Sequence, residues 1–196
     1  MNEGFNFSGV KIGFAVTGSF CTFEQAFSRA KLLRDAGAEL IPIMSENAYN
    51  TDTRFGAASE NAEKLGRICG REIIKSITEA EPIGPTKATD IMLVCPCTGN
   101  TLAKLANSIT DTPVTMAVKS HLRNNLPVVL CIATNDALAG SAKNIGALLN
   151  YRNYYFVPFR QDDFGEKPTS LVSDFGLVPE TLKAALEGRQ TEPVLI

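Results

Sequence analysis

The stretch DIMLVCPCTGNTLAKLANSITD, Asp90 to Asp111, decides the fold. Asp90 to Cys95 is a continuous apolar run of strand-forming residues, and Gly99 to Ser108 carries helical spacing. Between them the turn Pro96-Cys97-Thr98-Gly99-Asn100-Thr101 is small and polar. A strand that feeds a helix through such a turn is half of a βαβ unit. The two cysteines pose a rival question, since paired thiols can hold a metal or act in redox chemistry. The chain has five cysteines, at 21, 69, 95, 97 and 131, with no C-x-x-C pair, and a single histidine, His121, in another segment. Structural zinc takes about four Cys or His ligands. Cys95 and Cys97 are expected on one side of an extended strand, and two ligands do not make a site. A disulfide ring as small as C-P-C closes rarely. Cys95 and Cys131 therefore read as small core residues, and no metal is expected. The turn itself is left as the chemically interesting part.

Outward from this stretch the same grammar repeats. Val10 to Val16 is an apolar run that meets Thr17-Gly18-Ser19. Thr22-x-x-Gln25 then predicts a capping box, and Phe23, Ala26, Phe27, Ala30 and Leu33 fall on one helical face ended by Gly37. Ala38 to Met44 is a second strand leading to Ser45-Glu46-Asn47. Ala48 to Ala57 has no clear period. Ala58 to Thr78 predicts one helix, with Ala62, Leu65, Ile68, Cys69, Ile73 and Ile77 on one side. Thr112-Pro113 supplies an N-cap and a first-turn proline for another helix. Val128 to Ala133 predicts a fourth strand, Asp136 to Asn150 a helix, Tyr154 to Pro158 a fifth strand, and Val178 to Glu187 a last helix closed by Gly188.

The strands are near-continuous apolar runs, which suit a parallel sheet covered on both faces. The fold class is thus α/β, a three-layer, doubly wound sandwich of flavodoxin-like or Rossmann-like type with a mainly parallel sheet. One domain is expected over residues 1–196, its core about 10–188. A chain of 196 residues with 44% hydrophobic and 20% charged residues can bury a core without metals or disulfides. A net charge of −2 gives no nucleic-acid or membrane footprint. No secretory leader or membrane-length apolar run is read, so a cytoplasmic protein is expected.

In such sheets ligands bind beyond the carboxyl ends of the strands. The turns expected there are Thr17-Gly18-Ser19-Phe20, Ser45-Glu46-Asn47, Pro96 to Thr101, and Ala133-Thr134-Asn135-Asp136. Each leads toward helical sequence, and a helix start carries roughly +0.5 charge. Several starts at one edge make a site for phosphate or carboxylate. Neither G-x-x-x-x-G-K-[ST] nor G-x-G-x-x-G is present, so an NTP-hydrolysing loop and an NAD fingerprint are unsupported. The residues alone reach a phosphorylated planar cofactor or a small anion.

Three segments, Thr17-Gly18-Ser19, Pro96-Cys97-Thr98-Gly99-Asn100-Thr101-Leu102-Ala103-Lys104-Leu105-Ala106, and Ala133-Thr134-Asn135, together resemble the homo-oligomeric flavin-containing cysteine decarboxylase superfamily. The resemblance covers about Val10 to Gly188. It implies FMN as cofactor, a flavodoxin-like fold, and assembly as trimers or dodecamers. The segments VTGSFCTFEQAF and FVPFRQDDFGEKPTSLVSDFGLVPETLKAALEG are similar to a branch of that group in spore-forming bacteria. That branch implies a mother-cell location and a partner subunit with its own NAD(P)-type domain. It also implies oxidation of a dihydropyridine dicarboxylate to the aromatic acid. Under this resemblance Thr17, Gly18, Ser19, Phe20, Ser45, Pro96, Thr98, Gly99, Asn100, Thr101, Ala133 and Thr134 would hold FMN. Asn135 would orient a substrate carboxylate as the catalytic residue. Arg160 or Lys167 would pair the other carboxylate. The decarboxylases' histidine is missing from NAYNTDTRFGAASENAEK, and His121 is expected at the surface or an interface. Alternatives are an FMN-dependent decarboxylase, a flavin prenyltransferase-like enzyme, and a non-catalytic partner of the second subunit.

Overall fold

A computed structural model describes residues 4–196. Strands β1 (Lys11–Val16), β2 (Glu39–Met44), β3 (Ile91–Cys97), β4 (Val128–Thr134) and β5 (Tyr154–Phe156) are parallel and lie side by side in the order β2-β1-β3-β4-β5. This is the flavodoxin-like order, with its topological switch between β1 and β3. Two short strands not anticipated from sequence, β6 (Phe159–Arg160) and β7 (Leu171–Ser173), form an antiparallel pair. β7 pairs the carboxyl end of β4 at Ala133 and Thr134, while β5 pairs its amino end. These segments are too short for periodicity to register.

Alternation along the strands splits the core into two layers. Phe14, Leu93, Cys95, Val129 and Cys131 pack with Phe27, Leu33, Leu65 and Leu182, beneath helices α1 (Phe23–Asp35), α3 (Ala58–Cys69) and α8 (Val178–Leu186). Ala15, Met92, Val94, Leu130 and Ile132 pack with Leu102, Val114 and Leu148, beneath α5 (Gly99–Ala106), α6 (Pro113–Leu122) and α7 (Ala142–Leu149). Burying each such Leu, Val or Phe contributes about 1.5–3 kcal/mol. The β/α sandwich is therefore three-layered, as its apolar runs predict.

Several local expectations are corrected. Val94 faces Leu130 but Cys97 faces Ile132, so β3 carries one extra residue there. One extra residue inverts the side-chain alternation. Cys95 consequently packs in the first layer and Cys97 in the second, not on the same side. Thr22 makes no side-chain cap; its hydroxyl donates to the Ser19 carbonyl at 2.8 Å within a short 3₁₀ turn. The helix expected over 58–78 is two. α3 ends at Gly70, whose φ of 65° terminates it, and a four-residue α4 (Ile77–Ala80) begins at the Ser76–Glu79 capping box. The intervening Ile74 bridges β2 at Ile43. The expected helix over 136–150 likewise starts later, at Ala142, after a turn. Thr112 caps α6 as expected, its side chain accepting from Thr115 N–H.

The sole histidine is also corrected. His121 is fully buried at the amino end of the sheet. Its Nε2 donates to the Pro127 carbonyl at 2.9 Å, and its Nδ1 accepts from the Thr89 hydroxyl at 2.8 Å. Burial lowers its pKa and keeps the ring neutral. A helical period does not reveal that this face of α6 covers a sheet end. No helix among the described residues is long and apolar enough to cross a membrane.

Candidate functional site

The carboxyl ends of β1, β3 and β4 open into a cleft of about 460 Å³, within the range of ligand pockets. Its lining includes Gly18, Ser19 and Phe20 after β1, Thr98 after β3, and Ala133, Thr134 and Asn135 at the end of β4. Lys167 enters from the loop between β6 and β7. The structure thus gathers eight of the residues singled out from sequence.

The others sit differently. Thr17 is 1% exposed. Its hydroxyl donates to the Pro96 carbonyl at 2.8 Å and accepts from Thr98 N–H at 3.0 Å, so it ties β1 to β3 beneath the cleft. Pro96 lies inside β3 and is buried. The Thr101 hydroxyl is 3.1 Å from that of Thr98, and its N–H donates to the Thr98 side chain, the N-cap of α5. Asn100 is exposed on the first turn of α5 and does not line the cleft. Ser45 accepts from Ala48 N–H and caps α2 (Glu46–Asn50). Arg160 points elsewhere, 3.8 Å from Asp174.

Gly99 does not line the cleft either, but its lack of a side chain is required. A Cβ there would stand 2.5 Å from Asp136 Oδ1, 2.6 Å from Ser141 Oγ and 2.7 Å from Thr134 Oγ1. These oxygens form one network: the Thr134 hydroxyl donates to Asp136 at 2.6 Å and the Ser141 hydroxyl at 3.0 Å. The Asp136 carboxylate therefore lies by the first residue of α5, where negative charge is favoured.

Asn135 is held from behind. Its carbonyl accepts from the Thr169 hydroxyl at 2.6 Å and its Oδ1 from the Ser170 hydroxyl at 3.4 Å. Lys167 is 3.4 Å from Asp162. Burial opposes the Asp162 charge, but the neighbouring Ser170 hydroxyl and Lys167 ammonium hold its carboxyl below the usual range. Among cleft residues not anticipated from sequence are Arg54 and Phe55, from the aperiodic segment after α2, and Asp162, Ser170 and Val172 from the β6–β7 region. Only an exposed aromatic beside a cation in a Gly-containing turn marked the first pair.

A flavin mononucleotide demands donors for an anionic tail and room for a flat ring. The N–H group of Gly18, at the cleft, takes part in no backbone hydrogen bond among the described residues. A Cβ at Gly18 would meet the Phe20 ring at 3.5 Å, an ordinary contact, so that ring stands directly beside the turn. Hydroxyl, amide and N–H groups beside an aromatic ring suit such a group. Three of the five thiols are unsuited to act as nucleophiles: burial raises the Cys95 and Cys97 pKa values, and carries Cys69 to about 12. Among the described residues no cluster of three or more His, Cys, Asp or Glu could hold a metal.

A flavodoxin-like sheet with a polar cleft at its switch point defines a class, and the sequence agrees: a profile of the Flavoprotein family matches residues 3–174, and the chain belongs to that family. It is 45% identical over 188 residues to the B-subunit of dipicolinate synthase from Bacillus subtilis (strain 168), covering 96% of this chain and 94% of that protein. The crystal structure of the dipicolinate synthase B-subunit from Bacillus halodurans superposes with a TM-score of 0.89 at 44% identity, over 97% of this chain and 98% of that one. A dodecameric FMN-dependent UbiX-like decarboxylase from Escherichia coli O157:H7 shares the fold, with a TM-score of 0.63 at 22% identity over 76% of this chain and 80% of that one.

Proposed function

We propose that this chain is the FMN-binding subunit of a dipicolinate synthase, which works with its partner, the synthase's A-subunit, to oxidise dihydrodipicolinate to dipicolinate. The observation that carries the reading is 45% identity to the B-subunit of a dipicolinate synthase along nearly the whole of both chains. The cleft at the β1/β3 switch is its physical support.

Gly18, Ser19 and Thr98 would hold the cofactor's phosphate and ribityl chain through N–H and hydroxyl groups. The Asp136 carboxylate already complements the start of α5, which favours the Gly18–Ser19 side for the phosphate. Phe20 and Ala133 would wall the ring. When bound, FMN supplies a two-electron acceptor suited to a dihydropyridine, whose loss of hydride creates an aromatic ring. The protein's part is orientation. Asn135, exposed and braced by Thr169 and Ser170, would present its amide to one substrate carboxylate. Lys167, on the same β4 side of the rim as Asn135, would balance charge there, at the expense of its pairing with Asp162. This chain's only imidazole lies buried at the far end of the sheet, so the chain itself brings no histidine to the cleft for proton transfer. Copies of the chain are proposed to assemble as trimers or a dodecamer, in the cytoplasm of a sporulating mother cell.

The visible spectrum of purified protein, followed by FMN titration, tests the cofactor. A chain that carries no flavin and takes up none in titration would remove this reading. Assays of the partner alone, this chain alone and the mixture test the division of labour. Full dipicolinate formation by the partner alone would make this chain accessory.

A further inference from the structure

The segment after α2 builds a small rigid turn at one lip of the cleft. Thr53 and Gly56 exchange backbone hydrogen bonds of 3.1 Å each, and Phe55 N–H donates to the Thr53 hydroxyl at 3.1 Å. Asp52 fastens the base by accepting from Ala58 N–H at 2.8 Å. Gly56 has a φ of 130°, which a side chain would resist. The two residues left at the tip are Arg54 and Phe55. The Arg54 guanidinium sits 4.9 Å from the centre of the Phe55 ring, and Phe55 is 49% exposed. A turn held this firmly keeps a cation and an aromatic face in view of the cleft, where solvent alone would favour neither.

The cleft's two lining cations differ. Lys167 is neutralised by Asp162. Arg54 takes part in no ion pair among the described residues. The two also come from opposite flanks of the sheet rim: Arg54 follows β2, while Lys167 lies next to β7 on the β4 side. A planar ring with a carboxylate on either side of its nitrogen is met by polar groups on both flanks, and a guanidinium fork pairs a carboxylate in a bidentate way.

We infer that Arg54 is the residue that selects a dicarboxylate over a monocarboxylate: its guanidinium, steadied on Phe55, pairs the carboxylate remote from Asn135. This rests on the reading of the cleft as a dicarboxylate site given above. It replaces Arg160, which stands 3.8 Å from Asp174 and does not line the cleft.

The test is titration calorimetry of the full chain with FMN added, using pyridine-2,6-dicarboxylate and pyridine-2-carboxylate as probes. FMN affinity is followed separately by flavin fluorescence. The unaltered protein is expected to prefer the diacid. Arg54→Ala should weaken diacid binding by about tenfold or more, leave the monoacid nearly unchanged, and leave FMN affinity unchanged. Arg54→Lys should recover part of the loss, and Arg160→Ala should match the unaltered protein. Equal losses for both acids in Arg54→Ala, no loss at all, or the loss appearing in Arg160→Ala instead would overturn the inference. So would an unaltered protein that binds neither acid or does not discriminate between them. Failure to bind FMN, with Arg54-dependent diacid preference intact, would sink the flavin assignment and support this one.

Discussion

The two ends of the sheet use the same kinds of residue for opposite purposes. At the amino end, polar groups close on each other. Thr89, His121 and the Pro127 carbonyl form one chain, and Ser120 accepts from Gly84 N–H at 2.8 Å while donating to Glu81. At the carboxyl end the buried part is equally closed, through Thr17, Thr98 and Thr101, but above it Gly18, Ser19, Thr134 and Asn135 face an open cleft. A buried polar group without a partner costs about 1–3 kcal/mol, so depth in the fold decides whether a hydroxyl is committed to the fold or left free at the cleft. The chemically attractive histidine belongs to the closed end.

The contrast can be broken by substitution. The largest effect is expected from Gly84→Ala at the amino end. Its Cβ would fall 2.1 Å from the Ser120 carbonyl oxygen, an overpacking worth about 3 kcal/mol, seen as a large drop in the denaturation midpoint of whatever protein folds. Next is Thr17→Val, which strands the Thr98 N–H beneath the cleft and should cost about 2 kcal/mol by urea unfolding. A change in FMN affinity without loss of stability would instead move Thr17 into the ligand site. Asn135→Ala should do the reverse: stability stays within about 0.5 kcal/mol, while affinity for pyridine-2,6-dicarboxylate falls roughly tenfold, or about 1.4 kcal/mol. The smallest effect is a pH trend. Because the folded pKa of His121 is lowered below 6.5, the unfolded chain takes up the proton first. The stability due to its neutral ring is complete above 6.5 and erodes as pH falls through 6.5 toward the folded value. Urea midpoints of His121→Gln should therefore change less than those of the unaltered protein between about pH 7 and about pH 5.5.

Much of this was legible in the sequence because apolar runs and helical spacing report burial directly. The five parallel strands and the turns at their carboxyl ends follow from that signal, and the order of the motifs points to the Flavoprotein family. What escaped is what period cannot carry. A single inserted residue in β3 reverses Cys97, and the two-residue β6 has no room for a pattern. Arg54 and Phe55 gain meaning only when a turn brings them beside Gly18. Thr17 and Ser19 look alike on paper, yet one is locked under β3 and the other lines the cleft.

The free margins of the sheet carry a consequence for assembly. Ile74 bonds to Pro42 and Met44 along β2, a strand already short of one donor at its proline. The Gln190 amide pairs both backbone groups of Phe156 in β5, and Phe159 in β6 is bridged by the tail at Val194 to Ile196. Among the described residues, part of each of these borders is thus already paired by a fragment of its own chain, which shortens the ladder a sister copy could extend. Any assembly of copies would then favour helical flanks and loops, and accretion into ribbons is discouraged.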